Sequence, residues 1–323
     1  MRIGLLLNHW PLMALLEPWI KQGWLVGLAT QEGKNELVTG VQLVSQNYNI
    51  PYVKLTKNNV KKSLAEWVEQ IQPDVVLVST FSYKIPVDVL EIPKFGFFNF
   101  HYGLLPGYRG PDTIFWPIRN QETWAGFTVH KMDADWDTGA IAYTQPIAIA
   151  SEDTYGIYLN KIGQILPQVA TKLIDDLLTH GNNINLIPQD AKAGHYWSQP
   201  TFEDLCIRWQ EQTAKEIHAL VRASNPKYGG AIAFLRGVPL HILQVSLIES
   251  NNYPALQPGE IAVTNTNQAM VVCCQDGSLL SLDAIQTPEG LFTGDKLSTN
   301  FGVKTGEILS IPDQFQAMLA PKN

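Results

Sequence analysis

The chain reads as an α/β protein, an open, mostly parallel sheet followed by a smaller C-terminal antiparallel β-barrel. Over the first hundred residues, short apolar runs alternate with longer amphipathic ones, the β-α-β-α-β-α-β pattern of a parallel sheet. The run DVVLVS is continuously apolar, as a strand covered on both faces requires. Beyond residue 230, short strand-like segments are separated by turn residues, which suits a small barrel.

Taken in order, RIGLLL is a strand, PLMALLEPWIKQ a helix and WLVGLAT a second strand. ELVTGVQLVSQNYN places apolar residues at helical spacing, and the short strand PYVKL follows. KKSLAEWVEQIQ is a helix, because Leu64, Trp67 and Ile71 fall on one face. After DVVLVS come FGFFNF, the loop HYGLLPGYRGPD and a helix through TIFWPIRN. GFTVHKM and AIAYTQPIAI are strands flanking the loop DADWDTG, and a long helix is expected over 154–180, with Gly163 and Pro167 as irregularities. Residues 188–202 lose periodicity, so the domain boundary is placed there. The expected division is a catalytic domain over 1–190, a linker over 191–210 and a barrel domain over 211–323. The tail opens with the helix AKEIHALVRASN, ended by Pro226 and the Gly229–Gly230 pair. The strands AIAFL, PLHILQVSLI, EIAVT, AMVVCC and SLLSLDAI follow.

Composition excludes several classes. The 323 residues are 45% hydrophobic and 16% charged, ordinary for a globular chain, with a net charge of -7. No apolar run approaches the roughly 18 residues of a membrane span, and MRIGLLLNHWP reads as a first strand entering a loop, not a signal peptide. Cys206, Cys273 and Cys274 form neither a CxxC nor a His/Cys cluster, so structural thiols in the cytoplasm are expected, with no metal. Residues 200–323 carry 8 Lys and Arg against 12 Asp and Glu, which argues against strong nucleic-acid binding. The first strand is followed by NHWPLM instead of a glycine fingerprint, and no GxxxxGK[ST] occurs, so dinucleotide and P-loop chemistry are excluded.

Asn99 and His101 alternate in NFHYGLLPGYRG, so both side chains leave one face of a strand. In a parallel sheet that face opens where ligands bind, beyond the carboxyl ends of the strands. Asp137 follows 36 residues after His101, in a loop between two strands. An amide can donate to a developing oxyanion, an imidazole can carry a proton, and a carboxylate can orient the imidazole. Spacing alone leaves two readings open, since Asn-x-His at a strand end and Asp137 before Thr138–Gly139 also suit ordinary turns.

Over residues 74–149 the chain resembles the folate-dependent formyltransferase family, which includes glycinamide ribonucleotide, methionyl-tRNA and sugar N-formyltransferases. The matching text is FSYKIPVDVLEIPKFGFFNFHYGLLPGYRG and GFTVHKMDADWDTGAI. It contains the Asn-x-His pair, the Leu-Leu-Pro-x-x-Arg-Gly loop and the Asp-x-Gly loop in order. WQEQTAKEIHALVRASNPKYGGAIAFLRGVPLHI resembles the linker helix and barrel start of the methionyl-tRNA enzymes, and a weaker similarity continues to EGLFTGDKL. The resemblance implies a Rossmann-like sheet, an OB-like barrel and 10-formyltetrahydrofolate as cosubstrate. It places Asn99, His101 and Asp137 at catalytic positions. It sets the pterin against Phe81, Ser82, Tyr83 and Ile85 and the loop Asp133, Ala134 and Asp135.

The acceptor amine is expected to be a small molecule, such as an amino sugar nucleotide or an amine of a specialised metabolite. The tRNA enzymes carry a basic insertion after the second strand, where this chain has ATQEGKNELVTG with a single Lys and no Arg. Gly103 replaces the family's usual Ser, Arg109–Gly110 is followed by Pro-Asp instead of Ala-Ala-Pro, and Thr128-x-His130 is closer to the small-molecule members. Tyr102, Gly103, Tyr108, Arg109 and Trp116 are the candidate substrate contacts, the aromatic ones as stacking surfaces. A homo-oligomer is compatible with this plan. The alternatives are a methionyl-tRNA formyltransferase with a reduced tRNA interface and a 10-formyltetrahydrofolate hydrolase. A module that keeps the fold without turnover is a third.

Overall fold

A computed structural model describes residues 1–33, 35–248, 256–263, 270–312 and 315. Thr264 and Ala269, at the ends of two expected tail strands, lie outside the described residues. The chain divides into two compact units. The first comprises Met1–Thr113, Trp124–Ala148 and Leu159–Ser198, and the second Ile114–Thr123, Ile149–Tyr158 and Gln199–Asn323.

The first unit holds a seven-stranded sheet in the order β3-β2-β1-β4-β5-β6-β7. Its strands are β1 (Ile3–Leu7), β2 (Leu25–Gln31), β3 (Tyr52–Leu55), β4 (Val75–Ser79), β5 (Phe97–His101), β6 (Trp124–Lys131) and β7 (Ile141–Ala148). β1 to β5 pair in parallel, whereas β6 and β7 are antiparallel. All five residues of β1 and of β4 are buried, as their unbroken apolar runs demand. The helices α1 (Leu16–Lys21), α2 (Asn35–Tyr48), α3 (Val60–Ile71) and α4 (Val87–Leu90) connect the parallel strands. α3 buries Leu64, Trp67, Val68 and Ile71. The first expected helix is instead a 3₁₀ turn over Trp10–Leu15 running into α1, with prolines in the first turn of each piece. Proline fits a helical first turn, where its missing N–H would have no partner.

The second unit contains α5 (Phe115–Arg119) and an antiparallel sheet in the order β10-β11-β12-β9-β8. Its strands are β8 (Ala231–Leu235), β9 (Val238–Ile248), β10 (Ile261–Val263), β11 (Met270–Cys273) and β12 (Leu279–Thr287), with β13 (Gly290–Phe292) beside β12. The sheet curls into a half-barrel. Residues 308–310 bond to both of its edges, Leu309 N to Gly259 O at 2.8 Å and Ser310 N to Phe234 O at 3.2 Å. The long helix α6 (Tyr155–His180) belongs to the first unit from Leu159 onward, and Pro167 lies inside it. α7 (Phe202–Leu205) and α8 (Ala214–Ser224) both begin with capping boxes, on Thr201 and Thr213. The sequence reading did not anticipate α7, β13 or α9 (Gly294–Phe301). Among the described residues, no helix is long and apolar enough to cross a membrane.

Candidate active site

β5 is fully buried, and its alternation turns Asn99 and His101 to one face. β6 runs antiparallel beside it in a register that sets Asn99 opposite His130 and His101 opposite Thr128. Directly opposed residues share a face, so four polar side chains gather on two strand ends. Asn99 Nδ2 donates to His130 Nε2 at 3.2 Å, which makes that nitrogen an acceptor and puts the His130 proton on Nδ1, facing the Lys131 carbonyl at 3.3 Å. His101 Nε2 lies 2.6 Å from the Tyr108 carbonyl. A carbonyl only accepts, so Nε2 carries the proton and the neutral ring keeps its lone pair on Nδ1.

Asp137 comes from the β6–β7 loop in a left-handed conformation, with φ +56°. Its Oδ1 is 3.4 Å from His101 Nδ1 and 3.7 Å from His130 Nε2, and its Oδ2 accepts from Gly110 N at 2.9 Å. Burial pushes the Asp137 carboxyl up, but the His101 ring in its charged form, the neighbouring His130 ring and the Gly110 N–H outweigh it and hold the group at about 2. Burial pulls the His101 imidazole below its ordinary value against the opposing pull of Asp137 and the Tyr108 carbonyl. At neutral pH the site therefore holds a carboxylate beside the unprotonated nitrogen of a neutral imidazole. A proton arriving at Nδ1 would convert that repulsion into an ion pair.

Thr128 fastens the loop after β5, donating to Gly103 O at 2.8 Å while accepting from Leu105 N at 3.0 Å. Gly103 is required by close packing. A Cβ there would stand 2.6 Å from Tyr108 O, 2.8 Å from Thr113 Cβ and 2.9 Å from His101 Nε2. The loops on either side of the proposed pterin position are tied by the Lys84–Asp135 pair at 3.0 Å. Ile85 is buried, with Phe81 and Met132 packed against the same apolar cluster. Ser82 N donates to Gln31 and the Tyr83 hydroxyl to Glu32. Asp133 accepts from Asp135 N and the Thr138 hydroxyl, while Ala134 is exposed in the same loop.

The candidate substrate contacts are not gathered in one place. Tyr102, expected as a stacking surface, is turned into the interior instead, 4% exposed, with its hydroxyl 2.9 Å from Ser79 Oγ and the His9 ring edge-on to it. The same alternation that presents His101 sends its neighbour to the opposite face. Arg109, expected to reach substrate, is buried and donates from Nη2 to Gln189 Oε1 at 2.9 Å. Tyr108 stacks on Trp197, the ring centroids 5.4 Å apart. Trp116 lies in α5, in the second unit, edge-on to Phe115. Sequence reasoning did not place His130, Gln189 or Trp197 at the site. His130 had a signal, the Thr-x-His text, and its part in the site follows from the β5–β6 register.

Residues 28–173 match the family described as "Formyl transferase" and residues 201–291 its C-terminal domain. The chain is 30% identical over 292 residues to a methionyl-tRNA formyltransferase of Syntrophus aciditrophicus, covering 87% of this chain and 91% of that protein. The chain belongs to the folate-dependent formyltransferase family. As a formyltransferase it is an enzyme of one-carbon group transfer. A second methionyl-tRNA formyltransferase, from Ruminiclostridium cellulolyticum, is 31% identical over 220 residues, 67% of this chain and 68% of that one. Among solved structures, HypX from Aquifex aeolicus in complex with tetrahydrofolic acid has a TM-score of 0.64 at 16% identity over 97% of this chain. This chain spans about half of HypX, 51% of its length. An N-formyltransferase from Helicobacter canadensis, in complex with folinic acid and dTDP-3-aminofucose, has a TM-score of 0.65 at 20% identity, over 87% of this chain and 98% of that one. At these identities, both structures share the fold.

Proposed function

We propose that this formyltransferase is a cytoplasmic enzyme that moves the formyl group of 10-formyltetrahydrofolate to the amine of a small metabolite, such as an amino sugar nucleotide or a specialised-metabolite amine. Catalysis is assigned to the first unit, which differs from the expected domain 1–190 by lacking Ile114–Thr123 and Ile149–Tyr158 and by running on through Ser198. The observation that carries the chemistry is the convergence of Asn99, His101 and Asp137 at the strand ends, two of them within ion-pair distance. The cosubstrate supplies a formyl carbon on a leaving nitrogen. The residues at 81–85 and 133–135 fit a flat heterocycle, with apolar packing at Phe81, Ile85 and Met132 beside a polar, exposed loop.

The protein's own groups divide the work. Asn99 Nδ2 gives one N–H to His130 and keeps a second for the oxygen on which charge develops. An attacking amine must lose a proton as its nitrogen bonds to carbon, and His101 Nδ1 is the base placed to take it. Asp137 stabilises the resulting imidazolium and supports return of the proton to the leaving nitrogen.

A small acceptor is favoured by the connection between β2 and α2. β2 ends at Gln31 and α2 begins at Asn35, leaving three residues where the tRNA enzymes carry a basic insertion. Glu32, within that connection, accepts from the Tyr83 hydroxyl. The second reading, a methionyl-tRNA formyltransferase with a reduced tRNA interface, is favoured by the 30% identity that extends over nearly all of the Syntrophus protein. Tetrahydrofolate release is measured against a panel of amines and charged initiator tRNA, with Asp137→Asn as control. Release dependent on a small amine and lost in the variant is expected. Unchanged turnover in Asp137→Asn refutes the site. Formylation of methionyl-tRNA alone selects the second reading, and full-rate release without any amine selects a hydrolase.

A further inference from the structure

The loop that carries the carboxylate is held by a segment that is irregular apart from a 3₁₀ turn at Ala191–Ala193. Residues 187–197 run from the edge of β7 to the loop after β5. Ile187 and Ile141 exchange both backbone hydrogen bonds at 2.8 Å. Eight residues on, His195 O accepts from Arg109 N at 3.0 Å and Trp197 N donates to Arg109 O at 2.8 Å. Between these anchors Gln189 makes three hydrogen bonds with a single side chain. Its Nε2 donates to Asp137 O at 2.9 Å and to Gly139 O at 2.7 Å, while its Oε1 accepts from Arg109 Nη2 at 2.9 Å.

We propose that Gln189 is a positioning residue for Asp137, locking the carboxylate-bearing loop to the Arg109 loop so that Asp137 faces His101. The inference rests on the assignment of Asp137 as catalytic. The primary amide is the side chain that suits these partners, since two carbonyls require two N–H donors and a guanidinium requires an acceptor. Asp137 needs such support. Its φ of +56° lies in the left-handed region, which a non-glycine residue keeps only where its surroundings fix it. Gly139 fixes the other end of the turn, because a Cβ there would meet Lys131 O at 1.7 Å. Arg109 completes the clasp, with the 194 backbone packed so closely that a Cβ at Gly194 would lie 2.3 Å from its Nη1. Gln189 thus holds the backbone of the loop, while the Gly110 N–H holds the carboxylate itself.

The test compares Gln189→Leu and Gln189→Glu in the full chain, alone and combined with Asp137→Asn, in single-turnover formyl transfer to the best amine. Gln189→Glu keeps the volume and an oxygen for Arg109 but sets a carboxylate against two carbonyls. A residue that only clamps Arg109 tolerates that change; one that positions Asp137 does not. Both single variants are expected to lose about 10- to 100-fold in kcat, with the KM for the formyl donor altered less than about threefold. Neither should lower the residual rate of Asp137→Asn further, because both act through the same carboxylate. The ratio of Gln189→Glu to wild-type turnover should rise as pH falls, since a protonated carboxyl regains one donor. Wild-type kcat in Gln189→Glu, or losses that multiply in the Asp137→Asn background, overturn the inference. Unchanged turnover in Asp137→Asn overturns the underlying site assignment instead.

Discussion

Replacing Gly103 by alanine is expected to strike the site through one hydrogen bond. The added methyl would lie 2.6 Å from Tyr108 O and 2.9 Å from His101 Nε2, and these two atoms bond to each other at 2.6 Å. Carbon needs roughly 3.5 Å or more from either, so the methyl must push the Tyr108 carbonyl away from the imidazole. Thr113 Cβ, 2.8 Å away, crowds the same methyl. Overpacking of this kind costs about 1–3 kcal/mol, and leaving a buried donor unpaired costs about 1–3 kcal/mol more. With about 2–4 °C of Tm per kcal/mol for a unit of this size, calorimetry should show a fall of about 5–15 °C. Freed from the carbonyl, His101 loses both its tautomer and its place, so kcat should fall about 100-fold. A Tm within about 1 °C of wild type, with kcat unchanged, would refute the claim that Gly103 is there to seat His101.

Thr128→Val removes the donor to Gly103 O and the acceptor of Leu105 N from a buried loop, and should lower stability by about 2–4 kcal/mol in denaturant titration. Tyr102→Phe loses the buried bond to Ser79, at about 1 kcal/mol, and should leave kcat within about twofold, because the ring faces away from the reacting groups. Asp137, held at about 2 against an ordinary 3.8, has a depressed folded pKa. The stability linked to this shift is therefore lost as pH falls from about 4 through about 2. Melting curves across that window should show a slope that Asp137→Asn flattens.

How much of this was legible follows from the range of each interaction. The central strands and α3 declared themselves because apolar runs and i, i+3, i+7 spacing are local signals. The first helix broke into a 3₁₀ turn and a short α-helix at prolines visible in the text, and α9, which buries little besides Leu297, gave no apolar stripe to find. Asn99 and His101 were legible as period-2 neighbours. The same period held the correction for Tyr102, which stands one residue beyond His101 and so faces the core. His130 is a different case, since its bond to Asn99 exists only because β5 and β6 pair in one register, and register is not written in either strand alone. Gln189 lies at the far limit. Its partners are 50, 52 and 80 residues away, its neighbours have no periodicity, and the atoms it holds on Asp137 and Gly139 are backbone carbonyls. Every residue has such carbonyls, so no side-chain pattern could have marked these two, and only the folded path of the chain selects them.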